Sequence, residues 1–432
     1  MTHASHQSEL IAPVSLLDTL KAIEEGTLTT GASIEQCMER LALCETQIHA
    51  FTSINGHSIK EAETSKGPLA GIGVAIKDIY ETERLPTEYN SEIYRYNETV
   101  RDAPLVATAF SKGCTMIGKS ATTEFAYLDP GPTRNPHNPD HTPGGSSSGS
   151  AAAIATGMAH LAFGTQTAGS VIRPASYCGV TGYKPTAGLL PKGGVKELSW
   201  TLDTVGLFAK TVADCAYASS VLADRNLQVD PDADFSLPKL GLIRSHKWQE
   251  ADPDYLAQFL SLLDSLRRFG VEIHEFEPSK HFLAASNAHQ IIHDFEALKS
   301  LTWEYAHHKD KLSPLLRQAL EFAQTITPAD YDEARICADY ARRETNEFFE
   351  EVDAFISLSA TGPAPKGLSS TGSPVFNRIW TLFGLPCINV TGLKADNGLP
   401  LGVQIIGPFM GDHSSLKIAH WLEGAIERHC HS

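Results

Sequence analysis

Basic residues are scarce in this sequence. Its 432 residues hold 35 Lys and Arg against 51 Asp and Glu, a formal net charge of −16. So acidic a surface keeps a chain soluble and speaks against non-specific nucleic-acid binding, and no run of basic residues offsets it. Long apolar runs are also missing. No stretch reaches 18 apolar residues, so no span of a membrane is expected. The opening MTHASHQSELIAP has neither a basic start nor an apolar core, which argues against a secretory signal. The eight cysteines, at 37, 44, 114, 178, 215, 337, 387 and 430, form no C-x-x-C pair. In a chain this long they read as reduced thiols of a cytoplasmic protein. Metal motifs are absent too, so neither a metal nor another cofactor is expected; His429-x-His431 reads as a tail.

What is present suits a large core: 42% of the residues are hydrophobic and 20% charged. Residues 15–60 carry apolar residues at helical spacing, with a stop at Gly26. GPLAGIGVAIKDIY reads as a glycine-punctuated strand. Residues 103–112 read as a helix and CTMIGK as a short strand. After a proline-rich loop over 129–143, GGSSSGS opens into a helix, HLAFGTQT is a strand, and GSVIRPASYCG turns into another helix. This alternation predicts an α/β fold with a mixed sheet. Residues 250–350 are charged and helical in period, with almost no strand signal, as in an inserted cap. Strands return at VDAFISLSA, LPCINVTG and LPLGVQIIGP before a last helix.

Three short matches compete for the function. GCTMIGKS, Gly113 to Ser120, fits the phosphate-loop pattern letter for letter. Such a loop needs a strand before its first glycine and a helix after its serine; here the order is reversed. VAIK, ending at Lys77, matches a kinase strand, yet the chain has neither H-R-D nor D-F-G. GSSSG centres Ser147 in a nucleophile-elbow pattern, but NPHNPDHTP before it is no central strand.

A lysine and serines remain. Lys77 closes an apolar strand, Ser146 to Ser148 lie in a glycine-flanked loop, and Ser170 stands between a strand and a helix with Pro174 in its first turn. A serine nucleophile needs a base, and a lysine serves when burial keeps it neutral. Singly, each of these residues also reads as an ordinary surface or loop position.

Together they carry a resemblance. Residues 142–186, TPGGSSSGSAAAIATGMAHLAFGTQTAGSVIRPASYCGVTGYKPT, resemble the signature of the amidase signature family. GVAIKDI, LDTVGLFAKTVADCA, FNRIWTLFGLPCINVTG and GLPLGVQIIGP resemble flanking segments, so the likeness covers most of residues 10–425 and is weakest over 250–350. It implies a single amidase domain over 1–432. N-terminal helices would occupy 10–60, the catalytic core 65–230 and 370–425, and a pocket-shaping helical insertion 250–350. The implied fold is a central mixed twisted sheet with helices on both faces.

The resemblance also implies a catalytic set. Lys77 is the base, Ser146 (after a cis peptide bond) the bridging serine, and Ser170 the nucleophile that forms an acyl-enzyme. The N–H groups of Thr167, Ala168, Gly169 and Ser170 form the oxyanion hole. Ala168 replaces a glycine common in the family, and alanine would be strained there if φ had to be positive. Arg173, three residues after the nucleophile, suits a substrate carboxylate or an internal one. The wording GTQT-x-GSVIRPA is similar to the branch with malonamidase-type enzymes. The implied reaction is hydrolysis of a small, carboxylate-bearing amide, with no cofactor. The alternative is an amidotransferase-type or accessory component of a larger complex. The implied partner is a small-molecule amide, with room for a homodimer and none for nucleic acid or membrane.

Overall fold

The computed structural model describes residues 10–230, 236–244 and 246–431. Residues 1–9, most of the opening read as lacking a signal, lie outside them.

The chain starts with helices α1 (Leu16–Glu24) and α2 (Thr30–Ile48), then strand β1 (Phe51–Ile54) and α3 (Ser58–Thr64). Strand β2 (Gly73–Lys77), helix α4 (Pro104–Ser111) and strand β3 (Thr115–Ser120) follow. Next come α5 (Ser148–Ala155), β4 (Leu161–Gln166), α6 (Ile172–Cys178), β5 (Thr181–Lys184), β6 (Thr204–Ala209) and α7 (Val212–Ala223). The middle holds β7 (Leu240–Ile243), α8 (Pro253–Arg268), β8 (Ile273–Phe276), α9 (Lys280–Ser300), α10 (Thr302–His308), α11 (Pro314–Ala323) and α12 (Pro328–Phe348). The chain closes with β9 (Ala354–Leu358), α13 (Arg378–Leu382), β10 (Cys387–Lys394), β11 (Pro400–Ile406) and α14 (Asp412–Cys430).

The eleven strands of the described residues join one mixed sheet in the order β1-β3-β2-β4-β6-β5-β10-β11-β9-β7-β8. Strand β2 runs parallel to both β3 and β4, while β4 runs antiparallel to β6. Alternate side chains of a strand point to opposite faces. In β2, Val74 and Ile76 enter one apolar cluster and Ala75 another; in β4, Leu161 and Phe163 part from Ala162 in the same way. Both faces are therefore buried, as the near-continuous apolar spelling of these strands requires. Residues Ala151 to Ala155 of α5 and Ile34, Cys37, Leu41 and Cys44 of α2 cover the Ala75 face. The close fit depends on Gly149, where a Cβ would collide with the Ala50 carbonyl oxygen and the Ala121 nitrogen.

Two expectations need correction. Residues 15–60 are not helical throughout: Phe51–Ile54 pairs with β3 as the edge strand of the sheet. Four residues are too few for a period to show, and tertiary pairing decides. The 250–350 segment holds β8, parallel to β7 at the other edge, between long helices. IHEF carries polar residues because an edge strand stays partly exposed.

Candidate active site

Parallel pairing of β2 with β4 brings the carboxyl ends of both strands together, where α/β sheets offer a crevice. Lys77 ends β2 and is fully buried. Its Nζ lies 2.8 Å from Ser146 Oγ and 2.8 Å from Thr165 Oγ1 on β4. Among the described residues no carboxylate comes within ion-pair distance. Burial accordingly lowers the Lys77 pKa to about 7, against a smaller opposing pull from the charge of Asp203.

Ser146 sits after a cis peptide bond from Gly145. Its neighbours are fixed by other means. Ser147 Oγ donates to the Thr165 carbonyl and accepts from the Thr165 N–H, both at 3.3 Å. Ser147 is thus a buried brace between loop and strand, and the nucleophile-elbow reading of GSSSG is wrong. The phosphate-loop reading fails as well. Lys119 lies inside β3, fully buried, with Nζ 2.6 Å from the Tyr80 carbonyl and 2.6 Å from Thr87 Oγ1. Asp78 stands 3.5 Å away as its counter-ion. That lysine pins the segment after β2, next to Lys77.

Ser170 follows β4 in the turn that starts α6; at 7% exposure it is more open than Lys77 (0%) or Ser146 (1%). Gln166 Oε1 accepts the N–H groups of Val171 and Ile172, at 2.9 and 3.0 Å. Among the described residues, the N–H groups of Thr167, Ala168, Gly169 and Ser170 have no acceptor. The carbonyls of this loop are held from outside: His289 Nε2 donates to the Thr167 oxygen (2.9 Å) and Thr381 Oγ1 to the Ala168 oxygen (2.9 Å). Thr167 Oγ1 donates to Asp203 (2.6 Å), next to Thr204, which pairs with Gln166. Ala168 is not among the residues with positive φ, so the expected strain does not arise.

Arg173 is buried on α6. Its Nε donates to the Thr371 carbonyl (2.7 Å) and its Nη2 to the Gly145 carbonyl (2.6 Å), tying the Ser146 loop to the 371 loop. It has no ion-pair partner among the described residues, so no internal carboxylate takes it up. Its Nη1 is buried without a hydrogen-bond partner among the described residues. A Cβ added at Gly169 would fall 3.1 Å from that atom and 2.5 Å from Asn377 Oδ1, so both flank the 167–170 turn.

Sequence reasoning missed Thr165, Gln166, Asp203, His289, Asn377 and Thr381. The first two were visible in GTQT, beside the serine; the others come from distant segments. Among the described residues, no group of His, Cys, Asp and Glu is arranged to hold a metal, and no helix is long and apolar enough to cross a membrane.

A family model described as Amidase matches residues 32–416. One component of the glutamyl-tRNA(Gln) amidotransferase of Lachnospira eligens is 28% identical, over 94% of this chain and 97% of that protein. The 2-amino-5-chloromuconic acid deaminase of Comamonas testosteroni is 28% identical, over 96% of each. The solved structure of the corresponding glutamyl-tRNA(Gln) amidotransferase component from Thermotoga maritima matches with a TM-score of 0.80 at 28% identity, over 94% of this chain and 93% of that one.

Proposed function

This chain belongs to the Amidase family, and on that footing we propose that it hydrolyses the C–N bond of a small, carboxylate-bearing amide through an acyl-enzyme on Ser170. The observation that carries the reading is the buried lysine, with its pKa near 7 and its Nζ 2.8 Å from Ser146 Oγ. A neutral amine there accepts a proton near neutral pH.

In this reading Lys77 Nζ takes the Ser146 hydroxyl proton as Ser146 Oγ takes that of Ser170. Ser170 Oγ then bonds to the amide carbon. The charge that develops on the carbonyl oxygen falls on the N–H groups of residues 167–170, which have no acceptor among the described residues. The same relay returns the proton to the amide nitrogen, and the C–N bond breaks. Water, deprotonated along the same path, cleaves the ester and frees Ser170. Arg173 Nη1 supplies a donor for the substrate carboxylate.

The test is ammonia release from a panel of small amides, malonamate-like acids, aryl amides and glutamine by the purified chain, beside Ser170→Ala. Release that survives in the variant sinks the assignment. A second reading, a component of a larger complex, is favoured by the relatives that are named as parts of an amidotransferase. Release by the chain alone argues against it.

A further inference from the structure

Among the described residues, four side-chain atoms are buried without a hydrogen-bond partner on residues at or next to the 167–170 turn: Arg173 Nη1 and Asn377 Oδ1, which flank Gly169, His289 Nδ1, whose ring meets the Thr167 carbonyl through Nε2, and Nε of Arg378, which follows Asn377 and bonds Gln290 next to His289. Buried polar atoms in folded proteins are nearly always satisfied, and convergent exceptions in a site point to a ligand. Their chemistry is sorted. Two are cationic donors. The other two are acceptors, and each is fixed as one by the rest of its own side chain.

Asn377 Nδ2 donates to the Ser359 carbonyl at 3.0 Å, so the amide cannot be reversed and Oδ1 faces Gly169. His289 Nε2 faces the Thr167 carbonyl and must carry the proton. Burial, with Arg378 and His293 nearby, holds the His289 pKa well below its usual value, so the ring is neutral and Nδ1 offers a lone pair. The charges sort as well. Arg378, bonded through Nη1 to Gln290 (2.5 Å), has Asp294 as its electrostatic partner, while Arg173 has no carboxylate. The pair therefore leaves one positive charge to be met.

We infer that the substrate carries one carboxylate and, beside it, a neutral N–H or O–H donor that Asn377 Oδ1 and His289 Nδ1 accept: a ureido-, amido- or hydroxy-acid amide in place of an amino acid amide. An ammonium group would meet the same acceptors, but it would stand in a buried site near the Arg173 guanidinium, whose charge no carboxylate among the described residues offsets, and be repelled. A plain methylene would leave both acceptors unpaired, and sites built around hydrogen-bonding atoms reject such analogues strongly. The inference rests on the carboxylate role of Arg173.

Calorimetric titration of the Ser170→Ala chain with four compounds tests it. Succinamate and N-carbamoylglycine differ only by a CH2 exchanged for N–H; asparagine adds an ammonium, and butyramide lacks the carboxylate. N-carbamoylglycine should bind about tenfold or more tightly than succinamate, and asparagine more weakly than succinamate. In a His289→Leu background the N-carbamoylglycine preference should shrink. Succinamate binding as well as N-carbamoylglycine, or asparagine binding as well as it, overturns the inference and leaves the carboxylate reading intact. Butyramide binding as well as succinamate overturns the carboxylate reading itself. Binding of none of the four overturns the inference.

Discussion

Thr165 Oγ1 stands 2.8 Å from Lys77 Nζ, as close as Ser146 Oγ does, although Thr165 and Ser146 come from different segments. The amine is thereby fixed in direction from the neighbouring strand. Thr165→Val removes that hold while keeping the shape. The expected result is a loss in kcat of about tenfold with an unchanged melting temperature. Full activity in the valine variant would show that Ser146 alone aims the amine.

Activity should follow the charge of Lys77. Its folded pKa is about 7. The protonated amine cannot act as base, so kcat/KM should fall as pH drops below about 7 and level off above it. The charge of Asp203 raises that pKa. Asp203→Asn should therefore move the acid limb to lower pH, and it should also weaken the Thr167 contact. A limb that stays in place in the variant would remove Asp203 from the electrostatics of the base.

Lys77 also bears on stability. Its folded pKa lies below that of an unfolded lysine, so between those values the unfolded chain binds a proton that the folded chain does not. Stability contributed by this group rises with pH across that window, and at neutral pH the buried amine opposes folding. Lys77→Met should be inactive yet more resistant to urea, by on the order of 1 kcal/mol or more. A less stable variant would contradict this.

Lys119 should behave in the opposite way. Removing it by Lys119→Met strands the buried Asp78 carboxylate and several acceptors, an effect of about 3–5 kcal/mol in chemical denaturation. ATP should neither bind the wild-type chain nor protect it from denaturation.

Gly169→Ala forces a methyl to within 2.5 Å of Asn377 Oδ1 and 2.9 Å of Pro374 Cβ. Asn377 or the turn must shift, and kcat should drop by about a hundredfold, with modest change in melting temperature. A rate within twofold of wild type would show that the turn tolerates the shift.

Each candidate residue was legible because it lies in a distinctive local segment, although Lys77 and Ser146 are 69 residues apart and only the resemblance paired them. Lys77, Ser146 and Ser170 lie in segments whose apolar strands, glycines and serines spell out both the resemblance and the elements that hold them. GCTMIGKS was legible for the same reason, since a strand-like filling between its glycines denied it a phosphate loop. What escaped was long-range. His289 is 122 residues from the Thr167 carbonyl it meets, and Thr381 is 213 from that of Ala168. Neither side chain has a spacing to announce it. The edge strands β1 and β8 escaped because four residues hold too little period and their pairing partners decide them.

Helix α9 touches the sheet-borne chemistry without belonging to it. His289 reaches the 167–170 turn, Gln290 reaches Arg378, and Glu296 holds Ser199 and Thr201. The strands that carry Lys77 and Thr165 are clamped between two cores, where a substitution disturbs everything around it. On the proposed reading, changes on α9 would alter the choice of substrate while Lys77 and Ser146 keep their contact: the base stands on the sheet, and part of the substrate's surroundings on a separate helix.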